Sequence, residues 1–153
     1  MARARRLSFP EALGFRPAPW RSTLLWIALS AGWMLLSNAL WHWRGPWDFG
    51  PWRQAPLLAS ILRVLAVGIL GPMAEELIFR GLLYGRLAKT RVGPVGTIVI
   101  LALFWAVIHV SYDATVITVI FIDGLLLGAA RWRTGSLLPP VLMHIVWNLY
   151  AVW

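Results

Sequence analysis

Ser22 to Trp41 reads STLLWIALSAGWMLLSNALW, a run without a single charged side chain. At about 1.5 Å of rise per residue, a helix of this length crosses a hydrocarbon core of about 30 Å. The whole 153-residue chain follows suit: it is 59% hydrophobic, has a mean hydropathy of +0.70 and is only 13% charged, against roughly 25% in an ordinary soluble domain. A water-soluble core of this size has no room for so much apolar surface. A bilayer solvates it directly and asks only that backbone groups bond internally. The expected fold is therefore all-α, a polytopic transmembrane bundle of about five to six helices.

Upstream of that run, residues 1–21 carry Arg3, Arg5, Arg6, Arg16 and Arg21 together with Pro10, Pro17 and Pro19. They read as a basic cytoplasmic arm, too interrupted for a long helix and ordered by lipid headgroups. Residues 22–153 read as a single membrane domain. The first span lacks a small-residue cleavage pattern, so it reads as a retained anchor and not a signal peptide. Downstream, HWRGPWDFGPWRQAP (His42 to Pro56) sets Trp43, Trp47 and Trp52 among Gly and Pro, the composition of a loop at headgroup level. Leu57 to Leu70 is apolar apart from Arg63. Gly71-Pro72 then predicts a helix break, with helical periodicity resuming over Met73 to Lys89. A third span is expected over Val95 to Val110, a turn over Ser111 to Ala114 and a fourth span over Thr115 to Ala130. A fifth covers Ser136 to Trp153, entered through Pro139-Pro140.

The net charge of +8 comes almost wholly from Arg, but the basic clusters at Arg86 to Arg91 and Arg131 to Arg133 lie between apolar runs and not along one face. They read as a topology signal, which argues against nucleic acid as a partner. Positive-inside statistics favour a cytoplasmic amino terminus in a multi-pass protein, and a bacterial plasma membrane is the expected location. The absence of cysteine excludes disulfides, a thiol nucleophile and any Cys-ligated metal.

Ionisable groups inside such spans are costly, and by default they are paired or functional. Four clusters qualify: Glu75, Glu76 and Arg80; His109; Asp123; and His144 with Asn148. In GPMAEELIFRG, Glu76 and Arg80 are four apart and share a helical face, the acid-first order that favours an ion pair. Glu75 is turned about 100° from that face, lacks an obvious local partner, and suits a general base at neutral pH. His144 and Asn148 are also four apart and present an imidazole and a carboxamide together, either able to donate to an oxyanion. His109 sits within a third apolar run. Asp123 has two readings, pairing with Arg63 or lining the cavity. No serine, threonine or cysteine stands beside the histidines in a recognisable elbow or dyad, so water is the expected nucleophile.

At these residues the sequence resembles the CPBP (CAAX protease and bacteriocin-processing, or Abi) family, typified by the type II CAAX prenyl endopeptidase. Three motifs carry the resemblance: EExxxR as Glu75, Glu76 and Arg80; FxxxH as Trp105-Ala-Val-Ile-His109, with Trp in place of Phe; and HxxxN as His144-Ile-Val-Trp-Asn148. It covers about residues 65–153. It implies an intramembrane endopeptidase in which Glu75 and His109 activate water, His144 and Asn148 stabilise the oxyanion, and Glu76, Arg80 and Trp105 support the geometry. The implied substrate is a peptide or prenylated peptide met in the lipid bilayer. The sequence leaves the oligomeric state open.

No cofactor is expected. Zinc held by Glu and the two histidines is the less favoured alternative, because HExxH is absent and the histidines come from separate helices. The competing functions are a non-enzymatic bacteriocin immunity or membrane scaffold protein of the same fold, and a small proton-coupled transporter. The lack of an inverted repeat counts against the transporter.

Overall fold

A computed structural model describes residues 9–44 and 50–152, and all of its regular structure is helical. A short helix, α1 (Phe9–Leu13), precedes the long α2 (Trp20–Trp41). Another short helix, α3 (Gly50–Arg53), leads into α4 (Leu57–Leu87). Then come α5 (Gly93–Val107), α6 (Ala114–Thr134) and α7 (Leu138–Val152). Three of these, α2, α4 and α6, are long and apolar enough to cross a membrane, and α5 is a shorter apolar helix. Arg3, Arg5, Arg6 and Trp47 lie outside the described residues.

Helix α2 is inside out relative to a helix of a soluble protein. On α2 the leucines Leu24, Leu25, Leu29, Leu35, Leu36 and Leu40 all point outward, whereas Thr23, Ser30, Met34 and Ser37 are buried. Lipid is as apolar as leucine, so the leucines of α2 gain little by turning inward, and its inner face goes mostly to small and polar side chains that hydrogen-bond or let backbones approach. The contact of α5 with α6 shows the second use. A methyl added at Gly124 meets the Cα of Ala102 at 3.1 Å, and one at Gly128 meets Ile98 Cγ2 at 2.8 Å. Gly124 and Gly128, four apart, therefore set the depth at which the two helices pack. Around that seam lie Phe79, Tyr84, Leu101, Trp105, Leu127 and Met143.

Local chemistry fixes the ends. Asp113 caps α6 by accepting from the backbone N–H groups of Thr115 (2.8 Å) and Val116 (3.0 Å), and Gly135, at φ +65°, closes its other end. Pro139 and Pro140 occupy the first turn of α7, where a missing N–H costs nothing. The part of the amino arm from Leu13 to Arg16 is held by the protein itself. Leu13 is buried, Gly14 accepts from the Leu137 amide at 2.8 Å, and the Arg16 carbonyl accepts from Ser136 Oγ at 2.6 Å.

Three expectations need correction. Gly71-Pro72 does not break α4, because the helix widens into π geometry over Val64–Leu70 just before it and again over Leu77–Leu83. The Gly71 N–H donates five residues back, to Ala66, so the chain passes the proline without the clash that an α register imposes. The third span ends at Val107, not Val110, which puts His109 in the turn beyond the helix. Trp43 does not face outward as a side chain of a surface loop would: it is buried and stacks on Trp147, with ring centroids 5.7 Å apart.

Candidate active site

The two adjacent acids of α4 part company. Glu76 is fully buried, and its Oε1 accepts from Arg80 Nη1 at 2.8 Å and from His144 Nδ1 at 3.0 Å. Arg80, 1% exposed, also donates through Nη2 to the Gly124 carbonyl at 3.1 Å and lies 4.8 Å from the Trp105 ring centre. The expected ion pair is thus real and reaches one helix further, fixing the imidazole of His144 from behind. With Nδ1 turned toward Glu76, the Nε2 of His144 is left for whatever enters from the other side.

Glu75, one residue earlier and half-buried, is not without a partner. Its Oε2 accepts from the Trp105 indole N–H at 2.6 Å. The position where the sequence motif carries Trp instead of Phe therefore supplies a hydrogen bond that Phe lacks. The same residue holds His109, whose Nδ1 lies 2.7 Å from the Trp105 carbonyl. That carbonyl is among the last of α5 and has no intrahelical donor, so the imidazole satisfies it. As the donor is Nδ1–H, the lone pair of a neutral His109 sits on Nε2. Both histidines meet the Trp105 ring edge-on, at 5.4 Å for His109 and 5.1 Å for His144.

Asn148 is placed by a defect in α4. The Gly71 amide donates to Ala66 and Pro72 has no N–H, so neither supplies the Val67 carbonyl, and Asn148 Nδ2 donates to it at 2.9 Å. The second N–H of the same carboxamide is not taken by that bond.

Glu75, His109, His144 and Asn148 all line one cavity of about 690 Å³, together with Trp105, Asp123, Arg63 and Trp52. Asp123 lines the cavity as one of its two expected readings had it, but its partner is Ser30 and not Arg63. Ser30 Oγ donates to Asp123 Oδ1 at 3.0 Å and itself accepts from the Trp147 indole at 2.8 Å. Arg63 instead lies over Trp52, its Cζ 3.5 Å from the ring centre. Ser30 and Trp147 escaped the sequence reading, although a serine inside an uncharged span is itself a sign of an inward face. Among the described residues no three His, Asp or Glu side chains are grouped to hold a metal ion.

The family model for Rce1-like type II CAAX prenyl endopeptidases matches residues 56–150. The chain belongs to that family. The match takes in all three motifs and every residue of the cavity just named except Trp52. The chain is also 32% identical over 87 residues to an uncharacterized 24.3 kDa protein of Escherichia coli, an overlap of 56% of this chain and 40% of that protein. It thus spans well under half the length of that relative. No solved structure matches it. Family membership and three span-length helices together make this an integral membrane protein of a protease family.

Proposed function

We propose that the cavity is the active centre of an intramembrane endopeptidase that hydrolyses a peptide bond of a prenylated or unmodified peptide without a covalent intermediate. What carries the reading is the meeting of Glu75, His109, His144 and Asn148 on one cavity, from three separate parts of the chain. A water between Glu75 and His109 Nε2 gives up a proton to one of them as its oxygen adds to the scissile carbonyl carbon. The resulting oxyanion accepts from the free N–H of Asn148 and from His144 Nε2–H when that ring carries both protons, with Nδ1–H held by Glu76. Collapse breaks the C–N bond, and the proton taken from water passes to the departing amine. In this scheme the chemistry uses side chains alone, with no cofactor and no metal ion. Nucleic acid has no part in it.

The basic clusters between spans support a cytoplasmic amino terminus, and the Escherichia coli relative supports a bacterial plasma membrane as the location. The decisive experiment replaces Glu75 by Gln, a near-isosteric change, and follows processing of a prenylated reporter in vesicles. Cleavage falls to background while the protein stays folded. Undiminished processing in Glu75→Gln and His109→Ala would move the function to a scaffold or immunity role of the same fold. Retention of activity after exhaustive dialysis against a chelator tests the metal-free scheme.

A further inference from the structure

Two charged side chains of the cavity, Asp123 and Arg63, have no place in that chemistry, and of the two only the acid has a hydrogen-bond partner among the described residues. Arg63, on the first α-helical stretch of α4 (Leu57–Arg63), makes no hydrogen bond or ion pair to any described residue, and its Nη1 is shielded without an acceptor. It lies over the face of Trp52, its Cζ 3.5 Å from the ring centre, which covers the guanidinium on one side. Both residues line the cavity that holds Glu75. Asp123, the acid that could have neutralised it, is turned to Ser30 instead. Glu76, the other buried acid, is taken by Arg80 and His144.

Arg63 is half-buried, and a cation whose Nη1 is shielded from water without an acceptor carries a cost that an arriving anion offsets. A guanidinium set over an aromatic ring still has N–H groups to donate, and its planar fork matches a carboxylate through two parallel hydrogen bonds. From this we infer that Arg63 and Trp52 form the anion subsite of the cavity, and that its occupant is a carboxylate of the peptide substrate. The inference rests on the endopeptidase reading for the nature of its occupant. The spacing sets a ruler. Arg63 and Glu75 are twelve positions apart on one continuous helix, about 18 Å at 1.5 Å per residue and less through the wide turns. Extended peptide covers about 3.3 Å per residue, so the carboxylate lies within roughly five residues of the bond that is cut. A lipid phosphate has the same charge and comparable oxygens, and the experiment separates the two sources.

Binding is measured by dansyl anisotropy on the Glu75→Gln protein, in nanodiscs of phosphatidylcholine, with dansyl-Leu-Leu-Leu as the free acid and as its C-terminal amide. The acid binds about tenfold more tightly or better, the scale of one charge-assisted contact. In Glu75→Gln/Arg63→Gln the two peptides bind within about twofold of one another, while Arg63→Lys, which keeps the charge but not the fork, falls between. Equal binding of acid and amide in the Glu75→Gln parent overturns the inference. So does a preference that survives Arg63→Gln, or one that phosphatidylglycerol nanodiscs erase, which assigns the site to lipid phosphate. Reporter cleavage by the otherwise wild-type chain, run in parallel, keeps the two readings apart. Cleavage without acid preference refutes the subsite alone, and acid preference without cleavage refutes the hydrolase alone.

Discussion

Trp105 touches more of the proposed chemistry than any other side chain, and Trp105→Phe isolates one part of its role. Phe keeps an aromatic ring beside His109 and His144 and leaves the backbone carbonyl that holds His109 Nδ1. What it removes is the indole N–H that reaches Glu75 Oε2 at 2.6 Å. A hydrogen bond to a charged group contributes about 1.5–3 kcal/mol. At 1.36 kcal/mol per factor of ten, its loss from the transition state lowers kcat/KM by about 10- to 150-fold. Folding stability changes far less, by about 1 kcal/mol or below, because Glu75 lines the cavity and water can replace the lost donor. The assay is kcat/KM on a prenylated reporter in vesicles, beside a thermal unfolding midpoint in the same lipid. A Phe variant that turns over like the wild type refutes the idea that the indole positions the glutamate. A variant that loses several kcal/mol of stability shows Trp105 to be packing first.

Other consequences can be checked on the same preparation. Arg80→Leu strands the Glu76 carboxylate in a dry interior and lowers unfolding stability by about 3–5 kcal/mol, whereas Glu76→Leu/Arg80→Leu recovers much of it. The double variant remains slow in cleavage, because His144 has lost the group behind it. Gly128→Val drives a branched side chain into Ile98 and costs about 1–3 kcal/mol, read as a lower unfolding midpoint that Ile98→Ala partly restores. Ser30→Ala deprives both Asp123 and Trp147 of their shared hydroxyl and costs about 1–3 kcal/mol by denaturant titration.

The membrane fold was legible because it depends on lengths and charges that any sequence displays. A run such as Ser22 to Trp41 has few alternatives to a spanning helix. The pairing of Glu76 with Arg80 was legible for a similar reason, being a local four-residue relation on one helix. Relations between helices were not. Nothing in the spacing says that Glu76 also meets His144, sixty-eight positions away, or that Ser30 bridges α6 and α7. Gly71-Pro72 misled because its usual effect assumes an α register, and the wide turns before it supply another. His109 reads as part of a span because its neighbours are apolar, yet the carbonyl it satisfies exists only because the helix has already ended.

Pro72 has a wider consequence than avoiding a kink. A residue with an amide proton at that position could complete the ladder of its own helix and compete with Asn148 for the Val67 oxygen. The helix is left incomplete by one bond, and a neighbouring helix finishes it. Proline here acts as a latch between two spans: the orientation of a carboxamide on α7 is written into α4 as a missing hydrogen.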